Sequence, residues 1–132
     1  MTFSHIMKRN RRKHARYGVG SLRVSLHRMG LLGLFADQVE VRPIDFNATG
    51  LAFRHSRLLS PGQPVVMELA TEQHGLSQVV GVVRYTTRMK NHFRCGVAFD
   101  FEANEHMSSD TVKDTLQAIE QTLNEVVILA AD

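Results

Sequence analysis

The sequence contains one cysteine, Cys95, and no tryptophan in 132 residues. A single cysteine excludes an internal disulfide bond and favours a reducing compartment, so we expect the protein to be cytoplasmic. No apolar run approaches the roughly 20 residues that a membrane helix needs. No apolar segment follows the N-terminal charges, as it would in a secretory signal. The sequence therefore predicts no membrane insertion.

Acidic residues are absent from the first 16 positions, where six of the 16 basic residues lie. Residues 17–132 hold the other 10 basic residues and all 13 acidic ones, so the body is negative although the whole chain carries +3. Such a segment attracts phosphates or an acidic surface. We expect residues 1–16 to form a flexible basic arm, because they have little apolar periodicity and strong self-repulsion.

Clustered metal ligands and catalytic motifs are also lacking. The seven histidines are scattered and form no close ligand pair, so we expect no metal and no cofactor. No nucleophile elbow, phosphate-binding loop of the Walker type or dinucleotide fingerprint occurs in the chain. These absences predict a binding protein rather than an enzyme.

Residues 17–107 predict a β-rich body of about six short strands. Apolar residues alternate with polar ones at Leu22, Val24 and Leu26, which is the period of a strand. A second strand over residues 39–42 is expected to end at Pro43, followed by a turn over 45–50. Short strands with frequent turns are typical of a small antiparallel barrel or sandwich.

The C-terminal residues 108–132 predict an amphipathic helix, for which Ser108, Ser109 and Asp110 are candidate caps. Apolar residues recur there at steps of four and three: Val112, Leu116, Ile119, Leu123 and Val126. This face is expected either to pack on the barrel or to form the seam of a homodimer. We treat the arm, the barrel body and the helix as parts of one domain.

Two short motifs are candidates for ligand binding. Arg12 and Arg16 form an RxxxR pair, and Asp45, Asn47 and Gly50 form a D-x-N-x-x-G turn. Arginines can donate paired hydrogen bonds to phosphate oxygens and can stack on flat rings. A glycine in such a turn is expected to supply either a positive φ or a close approach to a ligand.

Together these motifs resemble the two-part signature of PilZ domains, which are bacterial receptors for cyclic di-GMP. Arg12 and Arg16 fall on the RxxxR of the family, and the 45–50 segment falls on its [D/N]-x-S-x-x-G, with Asn47 in place of the usual serine. The segments 81–85 and 94–99 resemble the closing strands. The resemblance implies a mainly β fold, a six-stranded antiparallel barrel with the C-terminal helix beside it, and a ligand bound outside the barrel under the arm.

The resemblance also implies a function: a cyclic di-GMP receptor whose arm changes conformation on binding and signals to an unidentified protein. Asp45 would accept from guanine N1–H and N2–H. Asn47 would keep a hydrogen-bonding side chain and add an NH2 donor. Arg11, directly before the RxxxR pair, implies that the nucleotide binds as an intercalated dimer.

Two other functions are left open by the residues. One is a PilZ-like adaptor that binds proteins but no nucleotide. The other is a non-specific nucleic-acid-binding barrel, since a basic arm on a small barrel can bind a polyanion by charge alone. The absence of tryptophan and the presence of only two tyrosines disfavour nucleic acid, because stacking platforms need exposed aromatic side chains.

Overall fold

The computed structural model describes residues 18–28 and 37–131, with side chains over 19–27 and 38–125. A short 3-10 turn, Gly18–Ser21, leads into the first strand. The strands are β1 (Arg23–Arg28), β2 (Asp37–Asn47), β3 (Gly50–His55), β4 (Pro64–Ala70), β5 (Gly75–Arg88) and β6 (Phe93–Phe99). Two helices follow, α1 (Glu105–Ser108) and α2 (Asp110–Ala131). The arm over residues 1–16, with Arg11, Arg12 and Arg16, lies outside the described residues.

The six strands close into a barrel in the order β1-β2-β3-β6-β5-β4, and every neighbouring pair is antiparallel. Each strand turns one set of apolar side chains inward, and these side chains fill the closed barrel. In β4, for example, Val65, Met67 and Leu69 are buried while the residues between them are partly exposed. The predicted six-stranded antiparallel barrel with a C-terminal helix is confirmed.

The barrel interior is packed with side chains from all six strands. Phe53, Met67 and Cys95 are fully buried there, and the rings of Phe46 and Phe99 lie 6.0 Å apart. Burial raises the pKa of the Cys95 thiol, which matches the behaviour expected of a buried strand cysteine. With its interior filled by side chains, the barrel has its outer surface available for any ligand.

Strand β2 does not end at Pro43, contrary to the prediction. It continues to Asn47 through a shift in its pairing with β3: Pro43 lies opposite Phe53, and Asp45 lies opposite the next residue, Ala52. Ile44 is therefore the extra residue of a β-bulge. A bulge tolerates the missing N–H of a proline that would interrupt a regular ladder.

Helix α2 packs on the same chain. Val112, Leu116 and Ile119 are 0% exposed and Leu123 is 1% exposed, so most of the predicted apolar face is buried within one molecule. The helix lies against the 3-10 turn and β2. These four residues thus pack within the chain, as the first of the two predicted alternatives has it, and do not form an exposed dimer seam. The side chain of Val126 lies outside the described part.

Both helices begin with a side-chain cap. The Asn104 side chain accepts from the Met107 N–H at 2.8 Å, and the Ser109 hydroxyl accepts from the Val112 N–H at 3.3 Å. Ser109 was one of the predicted caps, whereas the single turn of α1 was not predicted. Neither helix is long and apolar enough to cross a bilayer.

Candidate functional site

The turn between β2 and β3 is held by the side chain of Asn47. Its Oδ1 accepts from the Thr49 N–H at 2.8 Å, the Thr49 hydroxyl at 2.7 Å and the Gly50 N–H at 3.0 Å. All three partners are donors, so the amide oxygen must face the turn and the NH2 must face away. Asn47 is exposed, and no acceptor for its NH2 lies among the described residues. The turn itself is only Ala48 and Thr49, shorter than predicted.

Gly50 is required by close packing between strands. Its φ is not in the left-handed region. A Cβ at this position would collide with the backbone carbonyl oxygen of Val97 on β6. The glycine of the motif therefore lets β3 approach β6, and the expectation of a positive φ is wrong.

Asp45 lies near the C-terminal end of β2. Its Oδ2 forms an ion pair with Nη2 of Arg94 on β6, at a distance of 3.3 Å. The side chains are 21% and 28% exposed, respectively. Because β3 lies between β2 and β6, the two backbones are about 10 Å apart, and the ion pair must cross over β3. Ala52 of β3, the residue opposite Asp45, is 2% exposed.

Three arginines form a row beside this ion pair. Arg42 lies opposite Arg54, and Arg54 lies opposite Arg94, on three adjacent strands. Directly paired residues point to the same face of a sheet, about 4.8 Å from strand to strand. The outer face of β2, β3 and β6 therefore presents three guanidinium groups beside one carboxylate.

An open cleft of about 440 Å³ runs along this row. It is lined by Val19, Arg42, Pro43, Ile44, Arg54, Met89, His92 and Arg94. The apolar part of its wall comes from the bulge in β2, the 3-10 turn and the β5–β6 connection. A cleft with an apolar wall and convergent cations suits an anionic ligand that also has flat rings.

His92 adds a neutral imidazole to the cleft. Nη2 of Arg54 lies 3.1 Å from Nδ1 of His92. Desolvation, and after it the positive charge of Arg54, lower the pKa of His92. The lower pKa favours the neutral imidazole. Nδ1 of His92 also lies 3.0 Å from Oδ1 of Asn91, so it accepts from Arg54 in one tautomer and donates to Asn91 in the other.

The structure brings together part of the predicted site. Asp45, Asn47 and Gly50 lie on one hairpin, and the first two point outward from β2 on the face that carries the arginine row. Arg11, Arg12 and Arg16 lie outside the described residues. Sequence reasoning missed Arg42, Arg54 and Arg94, because the positions are far apart in the chain and only the strand order makes them neighbours.

Among residues 18–28 and 37–131, no three potential ligands are placed to share a metal ion.

Residues 10–117 match the family described as the PilZ domain. The chain belongs to the PilZ family. A comparison with proteins of curated function gave no match.

Two solved structures share the fold of this PilZ domain. One is the crystal structure of YcgR from Escherichia coli in complex with cyclic di-GMP, with a TM-score of 0.61 and 17% identity over 83% of this chain. This chain spans only 45% of that protein's length. The other is the PilZ domain of YcgR from Escherichia coli with cyclic di-GMP, with a TM-score of 0.60 and 18% identity, covering 83% of this chain and 88% of that one.

Proposed function

We propose that this PilZ domain is a cytoplasmic receptor for cyclic di-GMP that acts without catalysis. The observation that carries the proposal is the outer face of the barrel, which presents Asp45 and Asn47 together with three aligned arginines. Family membership supports it, and so do two structures of the same fold that are described as complexes with cyclic di-GMP.

The chemistry of the ligand fits the groups on this face. Cyclic di-GMP has two phosphates, which guanidinium groups bind through charge-assisted paired hydrogen bonds. It also has two guanines, whose O6 and N7 accept from arginine and whose N1–H and N2–H donate to a carboxylate. Arg54 and Arg94 would hold phosphate or the guanine O6/N7 edge, and Asp45 would hold the donor edge.

Binding would exchange partners at the ion pair between Asp45 and Arg94. In the structure the carboxylate is neutralised by Arg94 at 3.3 Å. A guanine that donates to Asp45 can replace this guanidinium, which then becomes available to the anionic part of the ligand. Adenine has an acceptor at N1 instead of a donor, so Asp45 would select guanine.

Asn47 would act as a donor in this site. Its oxygen is used within the turn, whereas its NH2 is available. An NH2 group can reach guanine O6, N7 or a phosphate oxygen, all of which accept. The replacement of the family's serine by asparagine is therefore compatible with binding.

The arm would supply the other side of the site. Val19 lines the cleft, and Arg16 precedes it by three residues, so chain length allows at most about 11 Å between their Cα atoms. Arg12 and Arg16 would clamp the ligand against the hairpin, and Arg11 would favour an intercalated dimer of the nucleotide. Closing the arm would change the surface offered to a downstream protein, which is the proposed signal.

Isothermal titration calorimetry with cyclic di-GMP tests the proposal, with GTP and cyclic di-AMP as controls. We expect selective binding of cyclic di-GMP, loss of tight binding in Arg12→Ala and Arg16→Ala, and a molar ratio that reports a monomer or a dimer of ligand. Absence of heat and of thermal stabilisation with cyclic di-GMP would overturn it in favour of the adaptor. Salt-sensitive binding of RNA of any sequence would instead favour the nucleic-acid function.

A further inference from the structure

The C-terminal helix contacts the candidate ligand-binding turn directly. Oε1 of Glu120 on α2 accepts from the backbone N–H of Ala48 at 3.1 Å, across 72 residues of sequence. Both residues are partly buried, and Ala48 packs against the hydrophobic core. A hydrogen bond to a charged acceptor at a partly buried position is among the stronger ones in proteins.

This hydrogen bond completes the set that fixes the turn. The N–H groups of Thr49 and Gly50 donate to Asn47 Oδ1, and the Thr49 carbonyl accepts from the Phe99 N–H at 2.9 Å. The N–H of Ala48 is left for Glu120. The turn is thus held by its own side chain, by β6 and by α2. Loss of any one anchor loosens the peptide that directly follows Asn47.

The position of Glu120 on the helix is also set independently. Leu116, Ile119 and Leu123, on the same helix, are buried against the barrel and the 3-10 turn. Their packing fixes the rotation of α2, so the carboxylate reaches Ala48 without the cost of ordering a free helix. Glu120 lies beyond residues 10–117, the part of the chain that matches the family.

We propose that Glu120 is a positioning residue for the ligand-binding hairpin. It does not touch the ligand; it fixes the Ala48 peptide and so the direction in which the Asn47 NH2 points. The inference rests on the proposed function, because it assigns a role in binding cyclic di-GMP. The helix thereby becomes part of the binding site's support and not only of the core.

Two variants of one residue separate the acceptor from the charge. Glu120→Gln keeps an acceptor oxygen, whereas Glu120→Met keeps the length and helix propensity of the side chain but has no oxygen. Both lose one negative charge, so their difference reports the hydrogen bond alone. Glu125→Met, on the exposed surface of the same helix, is the matched control.

The first measurement is amide hydrogen exchange at Ala48 by NMR, without ligand. We expect exchange about tenfold faster in Glu120→Met, and near wild type in Glu120→Gln and Glu125→Met. The second is calorimetry with cyclic di-GMP, where Glu120→Met should bind about fivefold more weakly and Glu120→Gln within about twofold of wild type.

The outcomes distinguish the two proposals. If the wild type binds cyclic di-GMP and Glu120→Met binds equally well, the positioning role is wrong although the function stands. Equal affinity losses in the Gln and Met variants would also overturn it, because charge and not the acceptor would then be responsible. If the wild type binds no cyclic di-GMP, the proposed function fails, and the exchange rate of Ala48 still decides whether Glu120 holds the turn.

Discussion

Asn47 uses the two ends of its amide differently. The oxygen accepts three hydrogen bonds within the turn, and the NH2 is left toward solvent. A serine has one hydroxyl for both purposes. Under the proposed function, turn formation and ligand binding therefore depend on different atoms of Asn47, and we expect each to be alterable alone.

Asn47→Asp is expected to preserve the turn and to impair binding. The aspartate keeps an oxygen for the Thr49 and Gly50 N–H groups, but it lacks the NH2 and adds a negative charge near an anionic ligand. We expect the affinity for cyclic di-GMP to fall more than about tenfold, with the free energy of unfolding unchanged within about 0.5 kcal/mol. Calorimetry and urea denaturation measure the two quantities.

Gln121→Glu is the control for the added charge, since it lies on the exposed surface of α2. It should leave the affinity near that of the wild type. Equal binding by Asn47→Asp and the wild type would show that the NH2 makes no contact with the ligand.

Arg94 is expected to contribute more to binding than to folding. Arg94→Gln removes the guanidinium that pairs with Asp45 at 3.3 Å and shortens the arginine row by one charge. We expect cyclic di-GMP to bind about 10- to 100-fold more weakly, the equivalent of about 1.5–3 kcal/mol for a hydrogen bond to a charged group.

Titration calorimetry of Arg94→Gln beside Lys113→Gln tests this. Lys113 lies on α2, over the ring of Phe101, so its variant removes the same charge away from the row. An equal loss of affinity in both variants would show that Arg94 acts only through the net charge of the protein and not through a contact with the ligand.

Residues of the site could be predicted where they are close in sequence. Asp45, Asn47 and Gly50 lie within six positions, and the resemblance of this short turn to the motif of the family is enough to make them candidates. Arg54 and Arg94 are 40 positions apart in the chain and are aligned by the pairing of β3 with β6. No local pattern encodes that pairing, so the row could not be found without the strand order.

Among the elements, a bulge in β5 accompanies a strand that is longer than the sequence predicts. β5 runs over Gly75–Arg88, whereas the segment that resembles a closing strand covers only 81–85 of it. Ser77 and Gln78 together oppose the single residue Glu68 of β4, and Gln78 has a φ of +54°. The Glu68 carboxylate accepts from the Gln78 N–H at 2.8 Å and from Ser77 Oγ. The bulge is held by this side chain, which a pattern of apolar residues does not reveal.

Glu68 should make the stability of the barrel depend on acid pH. Burial alone would raise the pKa of Glu68, but hydrogen bonds from Ser77, Gln78 and His27 outweigh it and hold this pKa below its ordinary value of 4.5. A carboxyl whose pKa is lower in the folded state stabilises the fold above its unfolded value, and this contribution disappears as pH falls through the folded value.

We therefore expect the free energy of unfolding to drop as pH falls below about 4.5, with a smaller drop in Glu68→Gln. Urea denaturation between about pH 3 and pH 7 measures it. Glu72→Gln is the control, because Glu72 lies at an exposed position in the connection between β4 and β5. Parallel pH profiles for wild type and Glu68→Gln would contradict the assignment.

At the scale of the whole molecule, the barrel and α2 share one hydrophobic core. Leu116 is 0% exposed and belongs to the same cluster as Phe53 and Met67 of the barrel. The steps of four and three in the sequence were enough to predict which face of the helix is apolar. They did not say what would cover it, because period alone does not distinguish a partner chain from the chain's own barrel.

Leu116→Ala is expected to lower the free energy of unfolding of the whole molecule by about 2–5 kcal/mol. Helix and barrel should unfold in one transition, seen alike by far-ultraviolet circular dichroism and by tyrosine fluorescence, to which Tyr85 on β5 contributes. Leu58→Ala, at a position that is 66% exposed, should change stability little. Two separate transitions would show that α2 folds independently of the barrel.

The bulge at Ile44 determines which residues of β2 point out of the barrel and which point into it. Arg42 and Asp45 are an odd number of residues apart, and in a regular strand they would point to opposite faces. The extra residue restores both to the outer face, where Arg54 and Ala52 oppose them. Removing Ile44 would leave arginine and aspartate on that face at an even spacing, whereas inserting a residue between Asp45 and Asn47 would turn one of them into the barrel. Arg42 and Asp45 can therefore share the outer face at an odd spacing with one bulged residue between them, or at an even spacing with none.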